Sequence, residues 1–319
     1  MTRVGVIDLG TNSTRLLVAD VENGTVEELE RRLEITRLGE GVDERRQLLP
    51  QAIARVRNVL VDYRRTLEGL NAERILAFGT SAVRDAENGE AFLGEIEWSY
   101  GFRTQLLSGD DEALLTFRGV SSGRAVPDGT LVVDVGGGST ELILGGSDGV
   151  AFHESLDLGC VRLTERFLKT DPPTPRELTD CAGYVQSILN EHVPPGLHAT
   201  RAVGVAGTVT TLATLDLGLE AEDRELVHGH VLKTSWIAEE LTRLAGTPVA
   251  RLRERPGLHP ERAPVIVAGA VVVLEALRYF GFDELQVSEH DIMHGAALAA
   301  AQLPESEQGD APPGAYVCC

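Results

Sequence analysis

The stretch Ile7-Asp8-Leu9-Gly10-Thr11-Asn12-Ser13-Thr14-Arg15-Leu16-Leu17 recurs later in the chain as Val133-Asp134-Val135-Gly136-Gly137-Gly138-Ser139-Thr140-Glu141-Leu142-Ile143. Asp8 corresponds to Asp134, an offset of 126 residues. Each copy runs from a β-rich segment to an aspartate, turns through glycine and Ser-Thr, and leaves as a second β-rich segment. This is the pattern of a β-hairpin with a polar tip. Because the repeat has domain-scale spacing, it predicts two domains of similar topology.

The tips of these two hairpins have the chemistry of a phosphate site. Glycines let successive backbone N–H groups converge on an anion. Hydroxyl donors stand beside them at Thr11, Ser13, Ser139 and Thr140. Asp8 and Asp134 can hold Mg²⁺ or orient these donors. The two copies differ at one position, where Arg15 corresponds to Glu141. We therefore expect Arg15 to bind phosphate and Glu141 to bind a metal ion or a water. For either tip alone, an ordinary polar turn is the alternative.

Composition sets the class of protein. The 319 residues are 43% hydrophobic and 24% charged, as in ordinary folded proteins, which excludes disordered, collagen-like and membrane classes. The 29 basic and 49 acidic residues give a net charge of −20, which repels nucleic acid and anionic membranes. An anion can bind only where local donors outweigh that field. Four cysteines without zinc spacing (Cys160, Cys181, Cys318 and Cys319) and no signal sequence predict a cytoplasmic protein.

Two junctions between a predicted strand and a helix offer further anion sites. Thr80 and Ser81 follow the strand-like residues 75–78, and Arg84 lies just inside the helix that they begin. Gly207 and Thr208 follow a second strand-like segment. The N-terminus of a helix attracts anions. For Arg84, an exposed arginine on a helix is an equally good interpretation. For residues 207–208, a plain capped helix is equally good.

Residues 108–117 read as a helix start with three acids in its first turn. Asp110 and Asp111 are explained by the helix dipole alone. If one of the three acids is catalytic, we expect it to be Glu112, which would then point inward with the apolar face of the helix.

Histidines give weaker signals. His290 and His294 are spaced like the pair on a zinc-protease helix, but no third ligand follows, so an amphipathic C-terminal helix is favoured. His228 and His230 share one face if they lie on a strand, and a structural role is the usual one. The basic residues in 251–255 are most simply a solvated face.

Four motifs, at residues 8–13, 80–85, 108–113 and 134–141, stand in an order that resembles the exopolyphosphatase and guanosine pentaphosphate phosphohydrolase (Ppx/GppA) family. The resemblance covers residues 1–303 and looks like the short form of the family. It implies an α/β fold of two actin-like, ribonuclease H-like domains of the sugar kinase and heat-shock ATPase superfamily (ASKHA). Each domain would have a mixed five-stranded sheet flanked by helices, with the active site in the cleft. We expect domains at 1–121 and 122–303, the last helix returning to the first domain, and a disordered polar tail at 304–319.

The resemblance also implies an activity, namely release of terminal orthophosphate from inorganic polyphosphate. Glu112 matches the general base, and Asp134 and Glu141 match residues that hold Mg²⁺ or the attacking water, with Asp8 as a further metal ligand. The expected phosphate-binding residues are Gly10, Thr11, Asn12, Ser13, Arg15, Thr80, Ser81, Arg84, Gly136, Gly137, Gly138, Ser139, Thr140, Gly207 and Thr208. We expect Mg²⁺ as cofactor, a monovalent cation such as K⁺ as stimulator, and a homodimer.

Alternatives remain open at this point. A guanosine pentaphosphate (pppGpp) 5′-phosphohydrolase would share every motif. An ATPase or kinase of the same superfamily would share the repeat. A non-enzymatic sensor of polyphosphate or alarmone nucleotides would need the loops without Glu112.

Overall fold

The computed structural model describes residues 1–122 and 126–304, and within it the chain divides into two compact units. The first unit comprises residues 1–122 together with 292–304, and the second comprises 126–291. Residues 123–125 and most of the predicted tail, including Cys318 and Cys319, lie outside the described residues.

The first unit is built on one mixed sheet. Its elements up to residue 122 are β1 (Thr2–Leu9), β2 (Thr14–Glu22), β3 (Thr25–Glu34), α1 (Val42–Arg45), α2 (Pro50–Gly69), β4 (Arg74–Gly79), α3 (Ser81–Asp85), α4 (Gly89–Tyr100), β5 (Arg103–Leu106) and α5 (Gly109–Val120). The strand order is β3-β2-β1-β4-β5. The first three strands are antiparallel neighbours, and β4 and β5 run parallel to β1.

The second unit repeats this plan and adds to it. Its elements are β6 (Thr130–Val135), β7 (Thr140–Gly146), β8 (Gly149–Leu156), α6 (Cys160–Phe167), α7 (Pro175–His192), β9 (Arg201–Val205), α8 (Ala206–Asp216), α9 (Arg224–Val227), β10 (Val231–Lys233), α10 (Thr234–Ala245), α11 (Val249–Leu252), α12 (Ile266–Phe280) and β11 (Glu284–Val287). A last helix, α13 (Ile292–Ala300), belongs to the first unit.

The sheet of the second unit has the order β8-β7-β6-β9-β11-β10. Its first four strands correspond to β3-β2-β1-β4, so the predicted fold class of two mixed, actin-like sheets flanked by helices is confirmed. The expectation of five strands is right for the first sheet and wrong for the second. The sixth strand is the short β10, which pairs antiparallel with β11 at the edge.

The first sheet is covered by helices on both faces. Val4 and Val6 pack with α13 on one face, whereas Ile7 and Leu9 pack with α2 on the other. A strand buried on both faces reads as a continuous apolar run, because neither set of alternating side chains meets water. This explains why β1 was recognisable from its sequence.

Helix α13 differs from the amphipathic helix predicted for this segment. All of its residues except Ala299 are buried, because the helix packs against the sheet and against α5 at once. In the second unit, α12 has a comparable place and contacts α6, α7, α8, α10 and β6. No helix among the described residues is long and apolar enough to span a membrane.

Helix α7 begins with a dense polar cap. Thr174 and Glu177 form a capping box, in which each side chain accepts a hydrogen bond from the other residue's backbone N–H. Glu177 also accepts hydrogen bonds from the N–H groups of Lys169 and Thr170 and from the Thr170 hydroxyl. Hydrogen bonds from Thr170 and Thr174 together lower the pKa of Glu177 to about 2.

Replacing Glu177 with alanine is expected to make the free energy of unfolding vary less with pH between about 2 and 4.5. The native pKa lies below the ordinary value of 4.5, so the stabilisation from Glu177 is complete above about pH 4.5 and is lost as the pH falls towards 2. Urea unfolding of wild type and Glu177→Ala should differ most at pH 6 to 7 and converge towards pH 3. Glu191→Ala, an exposed acid in the last turn of α7, serves as control. A Glu177→Ala deficit that does not shrink with falling pH contradicts this account.

Candidate active site

The two repeated hairpins close their tips in the same way. In β1–β2 the N–H of Gly10 donates to the carbonyl of Ser13 at 3.0 Å. In β6–β7 the N–H of Gly136 donates to the carbonyl of Ser139 at 3.0 Å. The sequence repeat is therefore also a repeat of backbone structure, down to one hydrogen bond.

The first hairpin neutralises its own aspartate. Asp8 and Arg15 are direct neighbours across β1 and β2, so their side chains lie on the same face of the sheet. The Arg15 Nε and Nη2 atoms lie 2.8 and 2.7 Å from Asp8 Oδ2, and the carboxylate is buried. Much of the charge of Arg15 is thus balanced within its own hairpin. Binding of phosphate by Arg15, and of metal by Asp8, both stay predictions.

The second hairpin instead places two carboxylates opposite each other. Asp134 and Glu141 are direct neighbours across β6 and β7, and they are 8% and 3% exposed. The hydroxyl of Ser155 on β8 donates to Glu141 Oε1 at 2.8 Å. This exchange of arginine for glutamate makes the two tips chemically different.

The donor set of the second hairpin fits Mg²⁺. Mg²⁺ prefers oxygen ligands and is commonly held by one or two protein carboxylates, with water and substrate phosphates completing the shell. Asp134 and Glu141 supply two carboxylates on one face. Within residues 1–122 and 126–304 there is no cluster of three or more His, Cys, Asp or Glu side chains arranged for a metal, which is the pattern that a closed zinc site would need.

Glu112 is buried at the start of α5 and is held by an arginine. The Arg84 guanidinium donates to Glu112 Oε1 and also to the carbonyl of Leu107 at 2.9 Å. Glu112 is 6% exposed, whereas Asp110 on the same turn is exposed. Asp111 forms a capping box with Ser108 and so helps to begin the helix. Among the three acids, Glu112 is the one that packs inward.

The junction that carries Arg84 differs from the expected helix start. Helix α3 is only five residues long, and Thr80 precedes it without a side-chain capping bond. Arg84 lies in the last turn of α3, so the dipole of this short helix contributes little there. The link to the first hairpin is instead direct, because the hydroxyl of Thr11 accepts a hydrogen bond from the N–H of Ala82 at 3.2 Å. Ser81 lies buried beside it.

The second junction contains an arginine that the sequence pattern missed. Gly207 and Thr208 lie inside the first turn of α8 rather than before it, and Ala206 has a φ of 67°. The Arg262 guanidinium lies so close to Gly207 that a side chain there would overlap it. Arg262 is distant in sequence, so no local motif could have pointed to it. Burial raises the pKa of the neighbouring Cys160 thiol to about 11, which keeps it neutral at pH 7.

The histidines do not form a zinc helix. Helix α13 begins at Ile292, so His290 is not on it. The His290 ring lies against the His228 ring at a tilt of 34°, with centroids 4.9 Å apart. His294 is buried in α13 and lies 3.0 Å from Glu28 Oε1. His228 follows the short helix α9, so it does not lie on a strand with His230.

A model of the Ppx/GppA phosphatase family matches residues 17–302. The chain belongs to this family. It is 40% identical over 322 residues to "Exopolyphosphatase 2" of Mycobacterium tuberculosis, covering 94% of this chain and 99% of that protein. The resemblance inferred from the motifs is thereby confirmed, and so is the assignment of the chain as a phosphatase, an enzyme of the hydrolase class.

Two solved structures support the same assignment. A crystal structure of an exopolyphosphatase-like protein shares 33% identity with a TM-score of 0.88, covering 94% of this chain and 99% of the other. A Ppx/GppA family member from Aquifex aeolicus shares 31% identity with a TM-score of 0.78, covering 93% and 97%. The fold described above is therefore the fold of this phosphatase family.

In this Ppx/GppA phosphatase the Asp8–Arg15 pair is expected to be strongly coupled. Arg15→Leu removes the guanidinium from a buried carboxylate, and we expect it to lower the free energy of unfolding by about 3 kcal/mol. The double variant Asp8→Asn with Arg15→Leu should lose less than the two single variants added together. Urea unfolding of all four proteins measures this coupling. The control variant Arg32→Leu breaks the more exposed ion pair between Arg32 and Glu30. It should lower the free energy of unfolding by less than about 1 kcal/mol. Strictly additive losses at residues 8 and 15 would show that the pair is not coupled.

Proposed function

We propose that this phosphatase is an exopolyphosphatase, which releases terminal orthophosphate from inorganic polyphosphate. The observation that carries the proposal is the buried Glu112 beside the Arg84 guanidinium, a carboxylate in direct contact with a group whose geometry suits phosphate. Support also comes from "Exopolyphosphatase 2" of Mycobacterium tuberculosis, to which the chain is similar over nearly the full length of both proteins.

Substrate binding is assigned to the hairpin tips. In the proposal, the backbone N–H groups and hydroxyls at residues 11–13 and 137–139 bind phosphate oxygens, and Thr80, Ser81, Gly207 and Thr208 add to them. The N–H groups of Gly10 and Gly136 instead close the two turns, and the Thr140 hydroxyl donates to the carbonyl of Leu158 at 2.7 Å. Asp134 and Glu141 hold Mg²⁺, which when bound neutralises charge on the phosphates. With a net charge of −20, the protein depends on these short-range donors for affinity towards a polyanion.

The chemical step needs a well-placed water more than covalent help, because phosphoryl transfer has a loose transition state. The water oxygen forms a bond to the terminal phosphorus, and the bond from phosphorus to the bridging oxygen breaks. Glu112 accepts the proton of the water, and the shortened chain leaves with the bridging oxygen. Proton transfer to a positioned base of this kind contributes ~10²–10⁴-fold in rate.

Arg84 has two roles in this scheme. Before substrate binds, its guanidinium donates a hydrogen bond to Glu112 and favours the charged form of that carboxylate. When substrate binds, phosphate oxygens compete for the same guanidinium, which suits phosphate geometry. Transfer of Arg84 from the carboxylate to the phosphate releases Glu112 to act on the water.

Hydrolysis of pppGpp is the second candidate, because the family that the chain belongs to includes GppA in its name. A polyphosphate end and a nucleoside 5′-triphosphate end offer the same terminal phosphoanhydride bond. An ATPase or kinase, or a sensor without catalysis, is less well supported because neither accounts for a buried glutamate beside Arg84.

A substrate panel distinguishes these activities. Steady-state phosphate release should be faster with short and long polyphosphate than with pppGpp or ATP at equal concentration of phosphate ends. Release should stop with excess chelator and return with Mg²⁺, because Asp134 and Glu141 fit that ion. Preference for pppGpp would replace the proposed substrate by the second candidate, and full activity in chelator would refute the metal assignment.

Glu112→Gln is expected to lower kcat for polyphosphate by at least 100-fold while changing KM little. Glutamine keeps the size of the side chain but cannot accept the proton of the water. Asp110→Asn, in the same helical turn and exposed, should leave both constants near wild type. Asp111→Asn should affect stability more than turnover, since Asp111 is part of the cap of α5. A Glu112→Gln enzyme with near-normal kcat would eliminate Glu112 as the base.

A further inference from the structure

The start of α6 holds the tip of the second hairpin from one side. The N–H of Cys160 donates to the carbonyl of Gly136 at 3.0 Å, and the N–H of Val161 donates to the carbonyl of Gly137 at 2.8 Å. The Nε of Arg162 donates to the carbonyl of Gly138 at 2.8 Å. Three successive carbonyls of the glycine loop are therefore bound by three successive residues of α6.

This arrangement satisfies two sets of polar groups at once. The first N–H groups of a helix have no partners within the helix, and loop carbonyls have no sheet partners. The peptide geometry then adds a consequence, because in a trans peptide the C=O of one residue and the N–H of the next point in opposite directions. With the carbonyls of residues 136–138 drawn towards α6, the N–H groups of Gly137, Gly138 and Ser139 are turned away from it.

We propose that Gly159 and Arg162 are positioning residues that aim the three N–H groups of residues 137–139 at a phosphate group. Neither residue is assigned to contact the substrate. They act through the loop carbonyls, so that the donors are preorganised before phosphate arrives. The proposal deepens the proposed function and rests on it for the identity of the ligand.

Gly159 is needed for space rather than for backbone freedom. Its φ of −87° and ψ of 151° are available to any residue. A Cβ at this position would overlap the carbonyl of Gly137 and the carbonyl carbon of Gly138. Any larger residue would thus push the loop away from α6 and turn its N–H groups.

Arg162 is only 9% exposed, an unusual burial for an arginine. Its Nη2 lies 3.4 Å from Oδ1 of the exposed Asp157. Because Nε is used on the carbonyl of Gly138, one end of the guanidinium is committed to the loop. This directional contact is one that an apolar side chain of similar length cannot make.

The first hairpin shows the same device built from different residues. There the carbonyls of Thr11 and Asn12 accept hydrogen bonds from the N–H groups of Gly39 and Arg37, at 2.8 and 2.9 Å. A Cβ at Gly39 would overlap the Thr11 side chain. Two unrelated segments therefore hold two matching tips by their carbonyls, which indicates that the orientation of the tip, rather than the fold of either segment, is the shared requirement.

The test measures binding of tripolyphosphate by calorimetry in the Glu112→Gln background with Mg²⁺, alongside steady-state phosphate release by the same variants with Glu112 intact. We expect Gly159→Ala and Arg162→Met each to raise the dissociation constant and KM at least tenfold. Arg162→Lys, which keeps a donor without the fork, should fall between. NMR should show that tripolyphosphate shifts the amide signals of residues 137–139 less in Arg162→Met than in the parent.

Two controls separate positioning from loss of structure. Gly183→Ala adds the same methyl group to α7 of the same unit, where nothing lies within 4 Å, and should leave binding unchanged. Asp157→Asn removes the charge partner of Arg162 without touching its bond to the loop and should also bind normally. Thermal unfolding of each variant establishes that it is folded.

The outcomes keep the two proposals apart. A folded Gly159→Ala or Arg162→Met protein that binds tripolyphosphate as tightly as the parent overturns the positioning role, even if wild type hydrolyses polyphosphate. Tight binding that depends on both residues, in a wild-type protein that releases no phosphate, supports the positioning role and overturns the proposed function. If the Glu112→Gln parent does not bind tripolyphosphate and the wild-type protein releases no phosphate, both proposals are overturned.

Discussion

A carboxylate buried near the end of a β-strand has lost most of its water and must be stabilised by a cation or by hydrogen-bond donors. Both hairpins place such a group beside the turn, and they satisfy it differently. The first provides Arg15 across the strand pair, which makes a closed ion pair with Asp8. The second provides Glu141 opposite Asp134, which concentrates negative charge suited to a divalent cation. One duplicated structure has thereby given one tip whose aspartate is paired with an arginine and one tip whose two carboxylates suit a metal ion.

The turns of these two tips are held by hydrogen bonds from inside and from outside the motif. The same Gly-to-Ser backbone bond closes both turns, and the loop carbonyls are taken up by neighbouring N–H groups. The loop is therefore specified by segments outside the motif as well as by its own residues. In the proposed function, the glycine-rich motif marks where phosphate binds, and in the positioning proposal the supporting segment orients the donors.

Much of this could be predicted from the sequence, for a physical reason. Strands β1 and β6 end in the same residue pattern, and local patterns determine hairpins, so the duplication followed from the repeat. The mixed sheets were implied by the family resemblance. The capped start of α5 and the inward-facing Glu112 were likewise legible in a single helical turn. Strand β10 was missed because three residues carry too little periodicity. Arg262 and the Gly39 contact were missed because they depend on packing between segments far apart in the chain. The burial of α13 on all sides was missed because its partners lie at the other end of the sequence.

The placement of α13 also affects how the protein folds while it is being translated. Residues 292–300 cover one face of the first sheet, where Val4, Val6 and Phe78 lie, yet they are synthesised after the entire second unit. During translation the second unit is a continuous segment that can complete its own core. The first unit has an uncovered apolar sheet face until α13 leaves the ribosome. During that time this face is open to aggregation.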